Sequence, residues 1–294
     1  MLSKKQAYFQ NEYQKVNFFQ RRFVDSLEYL SDTNKNWNKT FRNEIEDFLS
    51  HKISLPQDFS LHEIHHHLTD DLLKIEKGDN PSNDRNEITK LMFEFAESKN
   101  NSYINFIEWL YRDVIKKDFY FQRIPTIRLH IPQENFLYPK WHSDCFLGHS
   151  PKEINCWFGL TNNAESGFWV IDLKKSRKWI SEFDYNFKNF LKKASSLDKE
   201  FNDLGFQRAV EIKNICDSIL LFDSRCIHTA LNRTKTDPTT RVSIDIRVIL
   251  KEEFEWVKID EEPLYVGKGI KKAEFRPGHP YGYHEKSIKE FLNE

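Results

Sequence analysis

No stretch of this chain approaches the ~18 consecutive apolar residues that a membrane-spanning helix needs. Lys4 and Lys5 are not followed by an uninterrupted apolar run, so neither a membrane anchor nor a secretory leader is expected, and the protein is read as cytoplasmic. Charge of either sign is not in excess, since 44 Lys and Arg nearly cancel 45 Asp and Glu. No global field therefore favours nucleic acid or an anionic membrane, and a small-molecule partner is expected. Cysteine is sparse. Cys145, Cys156, Cys216 and Cys226 show neither the C-x-x-C spacing of a zinc site nor the density of a disulfide framework, so they are read as reduced thiols packed among strands. Internal repeats and low-complexity tracts are also missing.

What the chain does have is core material: aromatics are 15% of its 294 residues, which is enough for one large domain spanning 1–294. Phe9, Tyr13, Val16, Phe19, Phe23, Leu27 and Leu30 recur at spacings of three and four, which predicts an amphipathic helix of several turns. Further helices are predicted through Ile88, Leu91 and Phe95, and through Ile104, Ile107, Leu110 and Val114, so residues 1–118 read as mainly helical. From Arg123 the texture changes. Strands are predicted at Ile124 to Ile131, Ile154 to Leu160, Phe168 to Leu173, Ile219 to Phe222 and Val242 to Leu250. Short strands broken by turn residues suggest a sandwich or jelly roll over 119–258 rather than βαβ units. A helical insertion at about 174–204 interrupts it, and 259–294 is a C-terminal extension. The class is α+β.

The chemistry concentrates in Trp141-His142-Ser143-Asp144, where an imidazole and a carboxylate stand two residues apart. On an extended segment that spacing aims both at one face. Downstream, His228 follows a predicted strand and supplies a second imidazole. Two histidines and one carboxylate on one side of an ion form the facial donor set used by non-haem Fe(II). In the strand opened by Arg241, alternation puts Arg241, Ser243, Asp245 and Arg247 on one face and Val242, Ile244, Ile246 and Val248 on the other. A guanidinium beside a hydroxyl is suited to gripping a carboxylate.

Taken together, His142, Asp144, His228, Arg241 and Ser243 resemble the pattern of the iron(II)- and 2-oxoglutarate-dependent oxygenases, in their phytanoyl-CoA dioxygenase-like branch. The resemblance covers roughly 123–250. Glu153-Ile154-Asn155 with Trp157, Asp223-Ser224-Arg225 and Arg241 to Arg247 also look like members acting on small polar metabolites, such as streptomycin-pathway hydroxylases. It implies a double-stranded β-helix in which His142, Asp144 and His228 bind Fe(II), while Arg241 and Ser243 anchor 2-oxoglutarate beside an open position for O2. Asn155 is placed either at 2-oxoglutarate or at a strand end. Halogenases of the family lack the carboxylate ligand, so Asp144 implies hydroxylation, although desaturation, epimerisation or ring closure would use the same ligands. Arg128, His130, Tyr138 and Trp157 are candidates for the substrate, which is expected to be a sugar, aminocyclitol or amino acid derivative.

Two other readings compete with this one. A catalytically silent jelly roll would bind a metabolite in the same cavity without turning over 2-oxoglutarate. The segment His62-Glu63-Ile64-His65-His66 also matches H-E-x-x-H, the zinc metallopeptidase signature, which requires a helix to bring His62 and His66 together. Ser60, three residues before Glu63, predicts a capping box that would engage the glutamate at a helix start instead.

Overall fold

Strand β9 (Arg241–Leu250) is the spine of the molecule. In the computed structural model, which describes residues 2–16, 18–22, 27–31, 35–56, 58–74, 86–98, 101–132, 140–147, 149–161, 168–196, 198–212, 218–230, 239–254 and 282–293, it pairs antiparallel on both edges. On one side lies β4 (Ile154–Gly159), then β7 (Ser218–Asp223), then the edge strand β1 (Leu27–Ser31). On the other side β3 (Thr126–His130) and β2 (Phe119–Phe121) share its length. A second, smaller antiparallel sheet places β5 (Phe168–Val170) between β6 (Val210–Ile212) and β8 (His228–Thr229).

The period of two in β9 sorts its residues between two environments. Val242, Ile244, Ile246 and Val248 join Ile154, Cys156 and Phe158 of β4 in an apolar layer with the N-terminal helices α3 (Trp37–Lys52), α4 (Asp70–Leu73), α5 (Glu87–Glu97) and α6 (Asn101–Trp109). Each such side chain, wholly removed from water, contributes about 1.5–3 kcal/mol. The opposite face of the large sheet turns Trp157, Leu220 and Phe222 toward a second cluster, formed with the small sheet and helices α7 (Leu173–Ser181), α8 (Phe187–Ser195) and α9 (Lys199–Arg208). Side chains of Asp172, Asn186 and Asp198 accept from backbone N–H groups at the start of these three helices, which is why 173–208 folds as three short helices.

The predicted N-terminal amphipathic helix is broken. Helix α1 (Lys4–Gln14), closed at its start by a Ser3–Gln6 capping box, ends where Lys15 turns extended, and α2 (Phe18–Arg22) follows. Leu27 and Leu30 then lie in β1, whose partner is β7. Their three-residue spacing fits a helix, but the pairing edge of β7 wins. Helix α6 continues into a π-helical turn at Leu110–Ile115, which keeps Leu110 and Val114 buried. At the C-terminus, 282–293 returns to β2: Arg123 donates to the Gly282 carbonyl, His284 donates to that of Phe121, and helix α10 (Ile288–Leu292) follows. The remainder of the predicted extension, up to 281, lies outside the described residues. Among the described residues no helix is long and apolar enough to cross a membrane.

Candidate metal centre

His142 and His228 are brought face to face by backbone pairing. His142 N–H donates to the His228 carbonyl at 3.0 Å and His228 N–H returns the bond at 2.7 Å, an isolated antiparallel bridge at the end of β8. Their rings lie 4.4 Å apart. Asp144 opens a 3-10 turn (Asp144–Leu147) and projects its Oδ1 between them, 3.8 Å from His142 Nε2 and 3.6 Å from His228 Nε2. Among the described residues this is the one group of three or more His, Cys, Asp or Glu side chains close enough to hold a metal ion. All three are buried.

Each imidazole is held in the tautomer a metal requires. His142 Nδ1 lies 2.5 Å from the Lys140 carbonyl and His228 Nδ1 lies 3.0 Å from the Cys226 carbonyl. A carbonyl only accepts, so both Nδ1 atoms carry the proton and both Nε2 lone pairs face Asp144. Burial, followed by the neighbouring His228, pushes the His142 imidazole down to about 3, and burial likewise lowers His228. At Asp144 burial works in the other direction and pulls the carboxyl up. The Arg247 guanidinium, then His228, outweigh it and hold Asp144 well below the usual carboxylate range. The centre therefore presents two neutral nitrogens and one anionic oxygen.

The loop carrying these donors is pinned from behind. Ser143 Oγ donates to the Ser224 carbonyl at 2.8 Å, and Tyr13 of α1 donates to that of Arg225 at 3.2 Å. Arg225 grips Asp223 through Nε and Nη2 at 2.8 and 2.6 Å and donates to the Glu12 and Lys15 carbonyls at the end of α1. On the other side, α9 brings Gly205 so close that a Cβ there would sit 2.5 Å from the Trp141 ring. In the sequence, the signal for this support is the run of donors and acceptors Asp223-Ser224-Arg225 around a strand end.

A cavity opens from the donors along the polar face of β9. Arg241, Ser243, Asp245 and Arg247 all line it, as alternation predicted. His130, opposite Arg241 in the β3–β9 register, hydrogen-bonds through Nδ1 to Arg241 Nη2. Burial, then Arg241 and Arg128, hold its imidazole well below its usual value, so it is neutral and accepts from the guanidinium. His130, expected at the substrate, lines the same cavity while bonded to Arg241. Arg128 is paired with Asp245, and at 35% and 17% side-chain exposure this pair stands at the wetter end of the cavity. Trp157 stacks on Phe168 at 4.5 Å and forms an apolar wall. Asn155 donates from Nδ2 to Asp144 Oδ2 at 2.8 Å, while its buried Oδ1 has no hydrogen-bond partner among the described residues. Its amide is thus engaged by Asp144. Tyr138 lies outside the described residues.

The rival motif makes no centre. His62 and Glu63 sit in a turn and Ile64–His66 form a single 3-10 turn without a side-chain cap, so neither the predicted capping box nor the helix that a peptidase needs is present. The segment has a packing role instead. Thr240 N–H donates to the His62 carbonyl at 2.8 Å and His65 Nδ1 meets Thr240 Oγ1 at 2.9 Å, which fixes the start of β9 just before Arg241.

No family model matches the chain. A stretch of 52 residues is 45% identical to the streptomycin biosynthesis protein StrG of Streptomyces griseus, covering 17% of this chain and about a quarter (26%) of that relative. Among solved structures, HygX from Streptomyces hygroscopicus with nickel and 2-oxoglutarate bound aligns over 99% of this chain and 100% of its own, at 12% identity and a TM-score of 0.41. The non-haem α-ketoglutarate-dependent epimerase SnoN from nogalamycin biosynthesis covers 83% of each chain at 11% identity and 0.39, and the carbocyclase SnoK covers 84% of each at 12% and 0.37. Likeness at this level does not place a chain in a family, so the assignment of function rests on the side chains.

Proposed function

We propose that this chain is an Fe(II)- and 2-oxoglutarate-dependent oxygenase built as one domain on a double-stranded β-helix, which hydroxylates a small polar metabolite. The observation that carries the reading is the convergence of His142 Nε2, Asp144 Oδ1 and His228 Nε2 at the inner end of a cavity whose wall continues through Ser243 and Arg241. The donors fit the ion. Bonds from imidazole and carboxylate to a divalent first-row metal run about 2.0–2.2 Å, so donor atoms less than ~4.2 Å apart can share one ion, and the two nitrogens stand 3.8 and 3.6 Å from Oδ1. Fe(II) would be held by these three atoms. Two neutral imidazoles and one carboxylate with open positions is the donor set of non-haem iron oxygenases rather than of a closed structural zinc site.

The remaining residues supply binding, orientation and exclusion of water. Arg241, its fork fixed by neutral His130, takes the distal carboxylate of 2-oxoglutarate, with the Ser243 hydroxyl beside it. The buried, unpartnered Oδ1 of Asn155 suits a cavity that accepts a polar ligand. Trp157, Phe168 and Phe222 line the cavity and keep bulk water from the reacting end. When bound, iron, 2-oxoglutarate and O2 supply an oxidant able to hydroxylate an unactivated C–H bond, with succinate and carbon dioxide as co-products. The presence of Asp144 favours hydroxylation over halogenation.

A sugar, aminocyclitol or amino acid derivative is the proposed substrate class, encountered in the cytoplasm. The polar row of β9 and the Arg128–Asp245 pair at the cavity's wetter end support it, as does the local identity with a streptomycin biosynthesis protein. Anaerobic loading with Fe(II) and 2-oxoglutarate, followed by air and a metabolite extract, should yield succinate and a product heavier by one oxygen atom in the mass spectrum. Metabolite binding without succinate would identify a silent binding protein instead.

A further inference from the structure

Asp144 has two carboxylate oxygens, and the protein treats them differently. Oδ1 faces both imidazoles, whereas Oδ2 accepts from Asn155 Nδ2 at 2.8 Å and from Arg247 Nε at 3.0 Å. The two donors are directly opposite each other in the β4–β9 register, so the pairing of the strands itself sets the distance between them. All three side chains are buried. Arg247 is steadied in turn by Gln122, whose Oε1 lies 3.5 Å from Nη1.

A carboxylate can bind a metal through one oxygen or both. With two imidazoles, one oxygen leaves three of six positions open, whereas both oxygens leave two. A 2-oxoglutarate chelate needs two and O2 needs a third, so the second mode would close the site to oxygen. Turning Oδ2 toward the ion would break two buried hydrogen bonds, one of them to a cation. We propose that Arg247 and Asn155 form a positioning clamp that restricts Asp144 to one metal-facing oxygen and thereby keeps the third coordination position open. The clamp rests on the iron and 2-oxoglutarate reading of the centre.

Mn(II) is the probe, because the relaxation of water protons reports how many waters its bound form carries. The wild-type protein should bind Mn(II) and show enhancement corresponding to three waters. Arg247→Met and Asn155→Ala should still bind it, with an enhancement lower by about one third. Arg247→Lys, which keeps the charge and a donor, should stay nearer the wild type. A merely structural role would change melting temperature without changing the number of waters. If Arg247→Met fails to fold, Asn155→Ala carries the test, since it removes only one short side chain. Unchanged enhancement in the folded variants overturns the clamp and leaves the functional reading standing, as does loss of Mn(II) binding from variants that stay folded. Failure of wild-type protein to bind Mn(II) overturns the reading itself, and the clamp with it.

Discussion

Two segments of this chain carry histidines and a carboxylate at metal-binding spacing, and only one becomes a centre. In the first, His62, Glu63 and His66 lie on a turn whose His62 carbonyl and His65 ring are engaged by Thr240. In the second, His142 and Asp144 meet His228, which is distant in sequence but adjacent through a pair of backbone hydrogen bonds. Spacing alone is therefore a weak predictor. What separates the two is that the second segment is buried, pinned from behind by α1 and α9, and fixed in tautomer by the Lys140 and Cys226 carbonyls.

The comparison can be broken most directly at the donors. Asp144→Ala should lower Co(II) affinity by more than about 100-fold, beyond the range usual for outer partners of a metal ligand, and abolish succinate formation. His62→Ala and His66→Ala should leave both within about twofold, because neither side chain belongs to the group of donors at His142, Asp144 and His228. Isothermal titration of the three variants decides it, and equal losses on both sides would return the peptidase motif to consideration. Next in size is the co-substrate clamp: Arg241→Ala should weaken 2-oxoglutarate binding about 10- to 150-fold, as expected for losing charged hydrogen bonds worth ~1.5–3 kcal/mol, while metal affinity holds. Titration of 2-oxoglutarate into the Co(II)-loaded variant measures this.

Smaller effects test why the second segment is rigid. Gly205→Ala forces a methyl group against Trp141 and should cost about 1–3 kcal/mol, read as a melting temperature lower by several degrees. Because Trp141 adjoins His142, Co(II) affinity should fall with it; an unchanged affinity would show that α9 does not support the donors. The smallest change is His65→Ala, which removes one part-buried hydrogen bond and should cost ~0.5–1.5 kcal/mol in thermal or urea unfolding with no change in metal binding.

The polar face of β9 could be read from the sequence because alternation is a local property: Arg241, Ser243, Asp245 and Arg247 share a wall whichever strands lie beside them. The same holds for the apolar runs of β4 and β7, and for the helical periodicity of α5. Pairings were not legible. That His130 would hydrogen-bond Arg241, and that Asn155 and Arg247 would meet on Asp144, depends on a register set by the whole sheet. Strand β1 was hidden for a related reason. Leu27 and Leu30 carry a spacing compatible with a helix, and only the free edge of β7 makes them a strand. The two-residue β8 is too short for any periodicity, although it positions His228.

That short bridge between His142 and His228 has a consequence for how the chain responds to its ion. It joins segments separated by a large part of the sequence, so the donors come together only when both halves of the core have closed, and contacts of such long range form slowly. An ion bound there would be a ligand of the folded chain alone. At a hundred times its dissociation constant it would add about 2.7 kcal/mol to the unfolding free energy, acting as a removable crosslink whose withdrawal by a chelator is visible in the melting curve before any substrate is known.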